Sequence, residues 1–223
     1  MSYIQSHLKG RCWFTLGDSI TERGWYQPIV TENLGLKEWK NYGIGGTCLA
    51  QKDENDNSAI CLRYEKMENN PDIITIWGGV NDFGFNFGSY GGVEIGDYKD
   101  NTSLTFIGGM KLLMAGITKK YPLARIGFII TTPISVQRGM NSKNAKGYYL
   151  SDYCSVCREI CEKYSIPYLD LLKQSGFNEG NIDIMTSNSL GTVVRWFASI
   201  KNRYDQDCPK NFKLHFIYLR DKK

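Results

Sequence analysis

The sequence predicts an α/β protein, a three-layer α/β/α sandwich built on a doubly wound parallel sheet of about five strands. Two observations lead there. Short, nearly continuous apolar runs recur along the chain, as strands buried on both faces require. Between them lie longer stretches with apolar residues at helical spacing, and repeated strand–helix alternation implies right-handed crossovers between parallel strands. With 223 residues, 42% hydrophobic and 22% charged, the chain has the length and composition of one soluble globular domain with a substantial core.

The apolar runs Cys12–Gly17, Asn41–Ile44, Asp72–Trp77, Arg125–Thr132 and Pro167–Leu171 are the predicted strands. Helices are predicted over Trp25–Leu34, Ala59–Glu68, Thr102–Lys120 and Tyr149–Tyr164. The third carries apolar residues at 104, 107, 110, 113, 114 and 117, a helical stripe that Pro122 ends. Ser151 or Asp152 is the expected cap of the fourth. Phe83–Lys99 is rich in glycine and aromatic residues and has no period, so it is expected to be a long loop beside the third strand's end. Its aromatics either pack the loop down or offer faces to sugar rings.

Composition excludes several classes. A net charge of +4 comes from scattered Lys and Arg, without the basic patch that nucleic-acid binding needs. No apolar run approaches the roughly 20 residues that span a bilayer, and Met1–Arg11 lacks an apolar h-region, so a cytoplasmic address is expected. The seven cysteines fall in no disulfide-like spacing. Cys154, Cys157 and Cys161 share one helix face, where three small core residues are a better reading than a metal site lacking further ligands. No metal or cofactor is expected.

Ligands bind such sheets at the strands' carboxyl ends. Gly17-Asp18-Ser19-Ile20-Thr21 follows the first strand and presents a serine hydroxyl at a strand-to-helix turn, where the helix N-terminus favours developing negative charge. Alone, Gly-Asp-Ser is a common turn. Two further segments add to it: Asn41-Tyr42-Gly43-Ile44-Gly45-Gly46-Thr47 after the second strand and Gly78-Gly79-Val80-Asn81-Asp82 after the third. A tetrahedral oxyanion needs donors converging on one point, and the Ser19 N–H, the Gly46 N–H and the Asn81 amide would supply three. A phosphate-binding loop fits the second segment less well, because Cys48 stands where the last glycine of Gly-x-Gly-x-x-Gly belongs.

In these three segments the chain resembles the SGNH (GDSL-like) hydrolases, whose flavodoxin-like fold agrees with the predicted architecture. The resemblance implies Ser19 as nucleophile, Gly46 and Asn81 as oxyanion donors, and a small-molecule ester as substrate. It extends from residue 9 to about residue 183 and implies a domain over 1–204, with residues 205–223 a tail unlike the family. The family's fourth block supplies an Asp-x-x-His pair. The best fit here is Asp183-Ile184-Met185-Thr186, which makes Asp183 the orienting acid and puts Thr186 where the general base belongs. The two histidines lie elsewhere: His7 precedes the first strand, and His215 lies in the strand-like run Phe212–Leu219. Three explanations stay open: a relative that binds but barely hydrolyses, a coding sequence disturbed near residue 184, or another base such as His215.

Overall fold

The computed structural model describes residues 7–84, 92–134 and 141–182. Within them the sheet has five strands, β1 (Cys12–Gly17), β2 (Glu38–Gly43), β3 (Ile73–Trp77), β4 (Arg125–Ile130) and β5 (Tyr168–Asp170). Every neighbouring pair is parallel, in the order β2-β1-β3-β4-β5. The chain steps from β1 outward to β2, then returns past β1 to β3 and continues to the far edge. In open parallel sheets a reversal of this kind, here between β1 and β3, marks where ligands bind, at the strands' carboxyl ends.

Pleat alternation sorts the strand residues into two cores. Phe14, Leu16, Ile74, Ile76, Ile126, Phe128 and Ile130 pack on one face with residues of α3 (Ile60–Arg63), α5 (Phe106–Lys120) and α6 (Leu150–Lys163). Trp13, Ile73 and Trp77 meet Tyr26 of α2 (Tyr26–Leu34) and Leu171 of α7 (Leu171–Gln174) on the other. The result is the three-layer sandwich that the sequence predicts. Cys154, Cys157 and Cys161 lie on the buried stripe of α6 within the larger core, and burial pushes all three thiols up.

Boundaries differ from expectation where tertiary contacts decide them. β2 starts at Glu38 rather than Asn41, because it is an edge strand whose half-exposed side chains leave no apolar run. The helix expected over 59–68 breaks into α3 and a 3₁₀ turn, Tyr64–Lys66, with Arg63 turned inward at the break. α5 starts at Phe106 because the Thr105 hydroxyl accepts from the Gly108 N–H at 3.3 Å. Neither Ser151 nor Asp152 is the N-cap of α6. Tyr149 holds that position, and the Asp152 carboxylate accepts from its N–H at 2.8 Å. Two single-turn helices, α1 (Ser19–Glu22) and α4 (Val80–Phe83), follow β1 and β3 directly. Among the described residues no helix is long and apolar enough to cross a membrane.

Candidate active site

Gly17, the last residue of β1, pairs with Gly43 of β2 and Trp77 of β3. Past these pairs the strands stay joined: the Ile44 N–H donates to the Gly17 carbonyl at 3.1 Å, and the Asp18 N–H to the Trp77 carbonyl at 3.4 Å. α1 lies so close over this junction that side chains are excluded. A Cβ at Gly17 would stand 2.2 Å from Thr21 Oγ1, and one at Gly43 would stand 2.1 Å from the Glu22 nitrogen. Gly17 and Gly43 thus serve as seats for α1.

Ser19 is the first residue of α1 and is half-buried, and among the described residues its hydroxyl makes no hydrogen bond. Asp18 caps the same turn, Oδ1 accepting from the Ile20 N–H at 2.9 Å. Its carboxyl is fully buried, and desolvation raises its pKa to about 7 although the Arg63 cation pulls the other way. Oδ2 of Asp18 has no hydrogen-bond partner among the described residues.

Gly46 is exposed in the loop after β2, with φ +72° and nothing within 4 Å of where a Cβ would sit. Its Cα faces open space, and its carbonyl accepts from the Lys52 ammonium at 3.3 Å. Asn81, half-buried in α4, donates from Nδ2 to the carbonyl of Thr47, the residue after Gly46, at 2.9 Å. That bond fixes which end of the amide is nitrogen, and among the described residues the second N–H makes no hydrogen bond. The structure therefore brings Ser19, Gly46 and Asn81 to the adjoining ends of β1, β2 and β3.

Two residues that sequence reading assigned no role hold these loops in register. Asp82 is fully buried and accepts from the Leu49 N–H at 2.7 Å and the Ala50 N–H at 2.9 Å. Burial raises its pKa to about 7 against the pull of those two donors. Arg63 donates to the carbonyls of Gly17 (2.7 Å), Ser58 (2.8 Å) and Tyr42, and to the Thr47 hydroxyl at 3.0 Å. Desolvation lowers its pKa to about 10. One guanidinium thus staples β1, β2 and the loop that carries Gly46. The Asp82 carboxylate was visible beside Asn81 in the motif, but nothing in the local sequence around Arg63 signals an inward-facing cation.

His7 lies exposed in a turn before β1, at the amino edge of the sheet and away from this junction. Asp183, Thr186 and His215 lie outside the described residues, as do 85–91 of the aromatic loop and the tail 205–223.

A comparison with curated proteins gave no significant match. Solved structures do match. A protein from Lactobacillus plantarum is 25% identical, with a TM-score of 0.74 over 89% of this chain and 96% of its own. A GDSL-like lipase from Bacteroides thetaiotaomicron is 17% identical (TM-score 0.54), with 92% of this chain and 93% of the lipase covered. An acetyl xylan esterase is 19% identical (TM-score 0.50), with 73% and 78% covered. The two lower identities speak to the fold alone. The model of the GDSL-like lipase/acylhydrolase family matches residues 15–189 and so takes in all three strand-end loops. With three-quarters of its length inside that match, the chain belongs to the GDSL-like lipase/acylhydrolase family.

Proposed function

We propose that the protein is a serine esterase that acts on small acyl esters through an acyl-enzyme on Ser19. In this scheme the Ser19 oxygen attacks the ester carbonyl carbon while its proton passes to a base. The carbonyl oxygen becomes an oxyanion held by the Ser19 N–H, the Gly46 N–H and the free N–H of Asn81. Collapse expels the alcohol with a proton, and water then releases the acid from Ser19. No cofactor takes part. The observation that carries the reading is the Asn81–Thr47 bond, which ties two of the three donors together beside a serine hydroxyl with no hydrogen bond among the described residues. Acetylated carbohydrate is the favoured substrate, because the aromatic residues of the Phe83–Lys99 sequence would offer faces to sugar rings. A reducing, cytoplasmic setting suits the thiols, six of which are unpaired among the described residues.

A second reading, a binding module that keeps the ester pocket but turns over poorly, draws on Thr186 standing where the family's Asp-x-x-His motif has its histidine. A threonine hydroxyl cannot take the Ser19 proton near neutral pH, and Asp183 would have lost the partner it orients. Hydrolysis of p-nitrophenyl acetate separates the two. Wild-type turnover near ~10 s⁻¹, abolished by Ser19→Ala, supports the esterase and rejects the silent module. If the parent is slow, Thr186→His is expected to raise turnover by about 10² or more. A slow parent with no gain in Thr186→His rejects the alignment of 183–192.

A further inference from the structure

A second recess lies on the same edge of the sheet. It is a cleft of about 480 Å³ between the end of β4, the N-terminal turn of α6 and the segment after α7, within the size range of small-molecule sites. β4 is two strands from β1 in the sheet order. At the usual strand spacing the β4 end stands about 10 Å from the β1 end, and the recess opens beyond it, on the side where the alcohol part of an ester held at Ser19 would extend.

Its chemistry is divided. The floor is apolar and buried, formed by Pro133, Leu150 and Phe177. The rim carries Asn141, Ser151 and Glu179, all exposed, with the Asn141 amide donating to the Glu179 carboxylate. Tyr149, 40% exposed, completes the rim. The Lys143 ammonium stands 5.3 Å from the centre of that ring and so occupies one of its faces. An exposed ring face beside an amide, a hydroxyl and a carboxylate, over a small apolar floor, matches the alternating C–H faces and hydroxyl edges of a pyranose. A fatty acyl chain would leave the rim's polar groups facing hydrocarbon, which is costly. An anionic group would meet Glu179.

We infer that this recess is the binding site for the alcohol side of the substrate, a neutral pyranose of an oligosaccharide, stacked on Tyr149 and hydrogen-bonded by Asn141, Ser151 and Glu179. The inference rests on the esterase reading for what the bound sugar is used for, but binding can be measured without catalysis. The experiment is titration of xylotriose into the full-length Ser19→Ala protein, followed by calorimetry and by chemical-shift changes. Xylotriose is expected to bind, Tyr149→Ala to weaken it about tenfold or more, and Tyr149→Phe to restore it. Octanoate is expected not to compete. No binding of xylotriose, binding that is indifferent to Tyr149→Ala, or displacement by octanoate overturns the assignment. Fluorophosphonate labelling of the protein with Ser19 and Tyr149 both intact, set beside the xylotriose titration, keeps the two readings apart. Labelling without sugar binding rejects the recess alone, and sugar binding that depends on Tyr149 without labelling supports the recess and counts against the esterase.

Discussion

Replacing Asp82 with alanine removes both acceptors that hold the segment after Gly46. The Leu49 and Ala50 nitrogens belong to fully buried residues and bond at 2.7 and 2.9 Å to the two carboxylate oxygens. Each N–H left unsatisfied costs about 1–3 kcal/mol, so the loss would be about 2–6 kcal/mol. Relief of the carboxylate's own burial, which raises its pKa to about 7, offsets part of this. A shift of this size offsets about 4 kcal/mol at pH 7.5, so the net expectation, taken from the upper end of that range, is a loss of about 2 kcal/mol, still a sizeable share of a typical domain's stability. Asp82→Asn keeps one acceptor but turns an NH₂ toward the other N–H, so it should fall between wild type and alanine. Urea unfolding at pH 7.5, followed by tryptophan fluorescence, measures the change with an unchanged m-value. A loss below about 1 kcal/mol for Asp82→Ala would show that the loop is held by something other than this carboxylate.

Two further substitutions probe the same junction. Asp18 has its pKa raised from 3.8 to about 7 by burial, so its contribution is complete below the unfolded value and is lost as pH rises through 7, a limit of about 4 kcal/mol. Asp18→Asn keeps an oxygen for the Ile20 N–H and removes the buried charge, so its stability relative to wild type should improve from about pH 4 to pH 7 and level off above it in urea titrations. A constant difference would mean that Asp18 does not titrate in that window. Asn81→Ala removes a proposed oxyanion donor and should lower kcat for p-nitrophenyl acetate by about 10²–10³ with little change in KM; a change confined to KM would move Asn81 from the oxyanion to substrate binding.

The architecture was legible because buried parallel strands leave continuous apolar runs, and Phe14, Ile74 and Phe128 mark their strands without help from distant residues. β2 was seen only in part, since an edge strand with Glu38 and Lys40 facing water carries no such run. The break after Arg63 was invisible for a related reason. It depends on carbonyls of Gly17 and Tyr42, 46 and 21 residues earlier, which only the folded sheet brings within reach. Ser19, Gly46 and Asn81 were legible as residue types that recur after successive strands. The clamps that position them were not, because a buried Asp or Arg looks in sequence like any surface charge until its partners are known. The cap of α6 was misplaced because Asp152 acts from the third helical position back onto Tyr149, a reciprocal bond that favours no single residue type at the cap.

The central claim is that Ser19 is the reacting nucleophile of a site it shares with Gly46 and Asn81. The most direct measurement is the intact mass of the wild-type and Thr186→His proteins after incubation with a fluorophosphonate, followed by peptide mapping. The account predicts a single adduct on Ser19, formed faster in Thr186→His, slowed by Asn81→Ala and absent from Ser19→Ala. An adduct on another residue, or none on wild type and Thr186→His alike, would contradict it.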